Sequence, residues 1–295
     1  MRFLAVISVH GRDQKGVVAQ FATYVAERGI NIEDMQQRVV QGLFVMDMLV
    51  DLAEMTPSLD ELSAGILELA KKIGMEAKIT IHGRQRAKRV VLLVSKEPHC
   101  LDTLLASYGR GEINGQIVAV LGNHDVLAGR AEACGLAFES QAITPENDKA
   151  AHFAWLTQRL EQYQPDLIVL ARYMQIMPPH LVQKYAAKMI NIHPSLLPFF
   201  PGANPYRQAW ESGVRVTGCT AHFVTEQLDQ GPIVLQDVFH INVGKDTAEE
   251  VRERGMSLEA QTLLRAVQIY LNEELLVVDG KVVFKPGVRQ FELKG

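Results

Sequence analysis

The chain has 295 residues, of which 47% are hydrophobic and 22% charged, and its formal net charge is −4. This composition excludes collagen-like, coiled-coil and wholly disordered chains, and mild acidity offers nothing to a nucleic acid or an anionic membrane. Cys100, Cys134 and Cys219 are widely spaced and form no CxxC pair or disulfide framework, so they read as small buried hydrophobes in a reducing compartment.

Met1–Val9 is apolar but short, and His10, Arg12 and Asp13 follow at once. It reads as a strand starting at Phe3 and not as a secretory signal. No stretch approaches the about 18 uncharged apolar residues of a membrane span, so the expected location is the cytoplasm. Asp13 is expected to cap a helix over Gly16–Arg28, where Val17, Phe21, Tyr24 and Val25 recur at helical spacing and Gly29 ends the run. Ile30–Val40 and Leu43–Leu52 read as strands joined by a Gln41-Gly42 turn. Ser58 precedes a helix to Ile73, Gly74 closes it, and Met75–Ile81 is a fourth strand. Residues 1–82 thus follow the β-α-β-β-α-β order of a ferredoxin-like domain.

Residues 83–89 carry four basic side chains and no acidic one, which reads as a solvated linker between two domains. A nucleic-acid patch is the alternative, but no aromatic residue is interleaved. In 90–295, Val90–Ser95, Ile117–Leu121, Leu167–Leu170 and Met189–Ile192 are short apolar strands. Helices over Leu101–Tyr108, Val126–Cys134 and Lys149–Tyr163 lie between them. That alternation predicts a mostly parallel, Rossmann-like sheet covered on both faces. Val216–Val224 and Ile233–Ile241 are longer strands suited to an antiparallel edge. Thr247 caps a long helix to Leu271, and Val277–Val283 is a hairpin around Asp279-Gly280.

The chemistry concentrates in Ile190-Asn191-Ile192-His193-Pro194-Ser195-Leu196-Leu197-Pro198. Asn191 and His193 are two apart on a strand and share a face. Pro194 stops the strand, which puts the pair at a strand's C-terminal end, where open α/β sheets hold ligands. An amide that donates to an oxyanion beside an imidazole that moves a proton suits acyl chemistry; a polar cap on a buried strand is the plainer alternative. Asp229, in the loop Thr225–Pro232, is either a turn residue or a carboxylate that orients water or His193. Leu197-Pro198, beside these residues, is a peptide to check for the cis form.

Asn191–Pro198, Gly202–Tyr206 and Gly218–Pro232 together resemble the folate-dependent formyltransferase superfamily. Ser95–Cys100, Gly122–Asp125 and Leu170–Gln175 are similar to its hydrolase branch, and Asp13–Gly16 with Gly29–Ile32 resembles the ACT domain which that branch carries. The resemblance implies an ACT domain over 1–82, a basic linker over 83–89 and a formyltransferase-type catalytic domain over 90–295. It implies hydrolysis of 10-formyltetrahydrofolate to formate and tetrahydrofolate, serving one-carbon metabolism and purine biosynthesis, with Asn191, His193 and Asp229 as the catalytic set. The pterin is expected near Met174, Gln175, Ile176 and Met177, with Gly202, Val224, Thr225, Leu228 and His124 as further pocket residues. The ACT domain implies an amino-acid effector near Asp13, Lys15, Gly16 and Asn31, or a purely assembling role, and a homo-oligomer of two or more chains.

The superfamily's transferases bind a phosphorylated acceptor through a Gly-rich loop after the first strand; here that position reads Ser95-Lys96-Glu97-Pro98, with an acid and no Gly. This favours water over a phosphorylated acceptor. The alternatives are a transferase to a non-phosphorylated acceptor and a folate- or amino-acid-binding regulator without turnover. His222, on a strand near Cys219, reads as a core histidine. With no HExxH and no Cys/His ligand spacing, neither a metal nor a cofactor is expected.

Overall fold

The computed structural model describes residues 3–81, 86–144, 148–199 and 204–285. The chain divides into two compact units: one built on residues up to Arg86, which also takes in Phe284 and Lys285, and one from Ala87 to Val283. Of the expected linker, residues 83–85 lie outside the described residues. No helix among the described residues is long and apolar enough to cross a membrane.

In the first unit, β1 (Leu4–Arg12), β2 (Asn31–Val40), β3 (Leu43–Asp51) and β4 (Met75–Ile81) form an antiparallel sheet in the order β2-β3-β1-β4, with α1 (Val17–Ala26) and α2 (Leu59–Lys72) as the intervening helices. Its core joins Ile7, Phe21, Met46, Met48, Leu62 and Ile66, all buried. Each such side chain contributes about 1.5–3 kcal/mol on burial. Gln41 and Gly42 both take positive φ, at 52° and 82°, the geometry a two-residue hairpin turn requires. Ser58 accepts from the Glu61 N–H while Glu61 reaches back to Ser58, a complete capping box. The expected Asp13 cap is corrected. Gly16, in the left-handed region at φ 86°, precedes α1, and no side chain caps it. The Asp13 N–H is instead bound to the Gly42 carbonyl at 2.8 Å, which keeps the chain alongside the hairpin until Gly16 turns it.

The second unit is a seven-stranded sheet in the order β11-β10-β9-β8-β5-β6-β7. Its strands are β5 (Arg89–Val94), β6 (Gln116–Gly122), β7 (Phe138–Ser140), β8 (Leu167–Ala171), β9 (Met189–His193), β10 (Val216–Phe223) and β11 (Ile233–His240). The five from β9 to β7 are parallel, β10 runs antiparallel to β9, and β11 runs antiparallel to β10. Along β5, Val90, Leu92 and Val94 enter one core cluster while Val91 and Leu93 enter another, so the sheet is buried on both faces. The first cluster includes α3 (His99–Gly109) and the long α8 (Ala248–Leu271); the second includes α5 (Lys149–Tyr163) and α6 (Pro179–Lys184). Thr247 and Glu250 form the capping box of α8. The helix expected over Val126–Cys134 is shorter, α4 (Ala128–Glu132), while β7, α6 and α7 (Pro205–Glu211) add three short elements. β12 (Leu275–Val278) and β13 (Lys281–Phe284) pair around Asp279 and Gly280, both at positive φ. All three cysteines are free; Cys100 and Cys219 are buried, but Cys134 is exposed just past α4, which corrects its expected burial.

Candidate active site

β9 is a central strand whose last residues emerge at the sheet's C-terminal edge, and the antiparallel partner β10 brings a second polar row beside it. Asn191 lies opposite His222, and His193 opposite Thr220, in the β9–β10 register. Asp229 comes from the loop that joins β10 to β11 and sits at φ 55°, a left-handed turn that aspartate tolerates. Gly231, two residues on, lets this loop fold back: a Cβ there would lie 1.7 Å from the Phe223 carbonyl oxygen.

These elements assemble one polar centre. Asp229 Oδ2 lies 3.2 Å from His193 Nδ1. Asn191 Nδ2 lies 3.2 Å from His222 Nε2, and Asp229 Oδ1 is 3.6 Å from that same nitrogen. His222 Nδ1 is 2.9 Å from the Phe223 carbonyl, to which it donates, leaving Nε2 to accept from the Asn191 amide. The Asp229 carboxyl is held well below the ordinary carboxylate range, first by its hydrogen bond with His193, against the opposing cost of burial. An ionised Asp229 keeps the proton on His193 Nδ1. His193 Nε2 is buried and has no partner among the described residues.

Asn191, His193, His222 and Asp229 all line a cavity of about 730 Å³. Met174, Gln175, Ile176 and Met177 line it from the segment after β8, and Val224, Thr225 and Leu228 from the loop after β10. Met174, Ile176 and Leu228 are 63%, 59% and 58% exposed, an apolar rim unsatisfied within the chain. Leu197 and Pro198 also line it, and the peptide between them is cis. Thr220 Oγ1 steadies that segment, accepting from Leu197 N–H at 3.1 Å and Gln236 Nε2 at 2.9 Å while donating to the Ser195 carbonyl at 2.7 Å.

His222 is buried as expected, and the β9–β10 register also turns its ring toward Asn191 and Asp229. His124 follows β6 and is not among the residues lining this cavity. Gly202 lies outside the described residues. Asp13, Lys15, Gly16 and Asn31 are exposed on the first unit, and Asn31 Nδ2 donates to Glu33. Arg172, directly after β8, also belongs to the cavity; a charged residue ending an apolar parallel strand is the signal that marks it.

Glu259 of α8, 1% exposed, gathers a second polar group: His99 Nε2 at 3.1 Å and Arg172 Nε at 3.5 Å both face its Oε2. His99, Cys100 and Glu259 place their ligand atoms within 4.8 Å of one another. Burial first, and Glu259 next, push the Cys100 thiol well up, which opposes the thiolate a metal needs.

An imidazole with one nitrogen anchored and one free, beside an amide donor and an apolar slot, is the equipment of acyl transfer to or from a flat aromatic carrier. A formyl transferase family model matches residues 88–267, and an ACT domain model matches residues 4–80. A formyltetrahydrofolate deformylase of Synechocystis sp. is 38% identical over 281 residues, covering 95% of this chain and 97% of its own. The crystal structure of a formyltetrahydrofolate deformylase from Pseudomonas syringae pv. tomato superposes with a TM-score of 0.86 at 34% identity, covering 97% of this chain and 95% of that one. A glycinamide ribonucleotide transformylase from Symbiobacterium toebii matches 70% of this chain and 96% of its own, with a TM-score of 0.63 at 32% identity. The chain belongs to the formyltetrahydrofolate deformylase family.

Proposed function

We propose that the chain hydrolyses 10-formyltetrahydrofolate to formate and tetrahydrofolate, with Asn191, His193 and Asp229 carrying the chemistry. The supporting observation is His193 itself: Nδ1 is engaged by Asp229 at 3.2 Å, Nε2 is buried and unpartnered among the described residues, and the residue lines the larger cavity. The formyl group on N10 is an amide, whose barrier lies in building charge on oxygen. Water attacks the formyl carbon as His193 Nε2 takes one of its protons. The Asn191 N–H not given to His222 donates to the oxyanion. The imidazolium, steadied by Asp229, returns the proton to N10 as the C–N bond breaks. Tetrahydrofolate leaves as the amine, and formic acid loses its proton to solvent as formate.

The pterin lies in the slot between Met174–Met177 and the Val224–Leu228 loop, whose apolar walls suit a flat heterocycle. The stretch Ser95–Pro98 after β5 has no glycine with which to cradle a phosphorylated acceptor, and the Glu97 carboxylate lies 3.7 Å from Arg252. No step calls on a metal or a resident cofactor. The first unit is proposed to hold an amino-acid effector at the exposed turn Asp13–Gly16 near Asn31, and to assemble a homo-oligomer. The decisive test is incubation with 10-formyltetrahydrofolate and no acceptor. Formate is expected. Release only when an amine is added makes the chain a transferase, and no release in either case makes it a binding protein.

A further inference from the structure

A second cavity, of about 370 Å³, adjoins the catalytic one. The two share Arg172, Pro194, Asn204 and Pro205, and Pro194 directly follows His193. Their chemistry differs. The larger one is rimmed by Met174, Ile176 and Leu228, whereas half of the residues lining the smaller are charged: Arg172, Arg207 and Arg252 with Glu97, Glu249 and Glu259.

Most of these charges are already spent. Arg252 reaches Glu249 at 3.0 Å and Glu97 at 3.7 Å, and Arg207 reaches Glu211 at 2.8 Å. Arg172 is different. Its one carboxylate among the described residues is Glu259, met through Nε at 3.5 Å, which is too long for a hydrogen bond, and Nε is buried without one. The backbone at Arg172 is held at φ 62°, so the guanidinium enters the shared wall from a fixed point after β8. A guanidinium with its remaining donors on a cavity wall is a fork matched to a small carboxylate.

We propose that the smaller cavity is the formate chamber of the site, with Arg172 receiving the anion and Glu259, on the same wall, positioning Arg172. The proposal rests on the deformylase reading. Hydrolysis yields an apolar-faced heterocycle and a hydrophilic anion at one point, and the two cavities offer each a wall of its own kind. A carboxylate left in the apolar slot would bear a desolvation cost that the Arg172 fork removes.

The test is product inhibition. In the wild type, formate and tetrahydrofolate are expected to bind together, so a double-inhibition plot gives intersecting lines; parallel lines, meaning mutual exclusion, overturn the proposal. Arg172→Met is expected to raise the formate inhibition constant at least about tenfold, the scale of one charge-assisted pair, and by more than it raises KM for the folate. Glu259→Gln should shift the same constant in the same direction. An unchanged formate constant in folded Arg172→Met, or a rise confined to KM, overturns the assignment of Arg172. A wild type that releases no formate from 10-formyltetrahydrofolate sinks the deformylase reading itself, whereas release with an unchanged constant sinks only the chamber.

Discussion

Asn191 and His222 stand directly opposite each other in the β9–β10 ladder, and the Asn191 amide nitrogen lies 3.2 Å from His222 Nε2. One amide hydrogen is therefore committed to a neighbouring strand, which aims the other into the cavity. His222→Leu removes that anchor while keeping an apolar side chain in the strand. Losing one such bond costs about 1–3 kcal/mol, so kcat is expected to fall about tenfold with a smaller change in KM. Steady-state kinetics with 10-formyltetrahydrofolate reads this directly, and an undiminished kcat would remove His222 from the site.

Asn191→Ala takes away the proposed oxyanion donor itself. The expected loss is about 10²–10³ in kcat, the usual effect of deleting one such group. Circular dichroism should show an unchanged fold, since the strand's backbone pairing does not depend on the amide. Full activity in a folded variant would refute the role.

Asp229 links activity to pH. Its folded pKa is held below the unfolded value of about 4. Its contribution to stability is therefore complete above that value and is lost as pH falls through the folded pKa. Asp229→Asn should be less stable than wild type at pH 7, and denaturant titrations at successively lower pH should show the gap closing below about pH 4. A gap constant with pH would mean that the carboxylate is not paired as described. At neutral pH the variant should also lose about 10²–10⁴ in kcat, because His193 no longer has its tautomer fixed.

Gly231→Ala tests the turn that delivers Asp229. The added methyl would meet a backbone oxygen at 1.7 Å, which no rotamer change relieves. Overpacking of this kind costs about 1–3 kcal/mol, and a 1 Å displacement of Asp229 would cost about 10²-fold in rate. Both Tm and kcat should drop. A variant with a lowered Tm and normal kcat would separate the turn from the catalytic geometry.

Much of this was written locally. Met75–Ile81 and Lys149–Tyr163 have the bounds that their apolar pattern predicts, and Ser58 and Thr247 mark their helices by hydroxyl and glutamate spacing. Local signals failed where a distant partner decides. Asp13 has a capping side chain, yet its backbone is claimed by Gly42 and the helix starts later. α6 and α7 each begin at a proline in a loop-like stretch, and their turns are too short to show a period. The pair Asn191 and His193 was visible as a strand-end motif. His222 was not, because only strand pairing distinguishes it from a core residue. Asp229 sits in a loop, where spacing says nothing about what its carboxylate meets.

The Thr220 hydroxyl is fully subscribed: one hydrogen given, two lone pairs taken. The segment after His193 therefore has no slack of its own and keeps time with the sheet. The Leu197 amide should exchange with solvent on the schedule of the central strands and not that of a surface loop. Serine is the conservative replacement at this position, since valine would take this partner from the Ser195 carbonyl and the Leu197 amide and leave the Gln236 carboxamide only the Leu197 carbonyl.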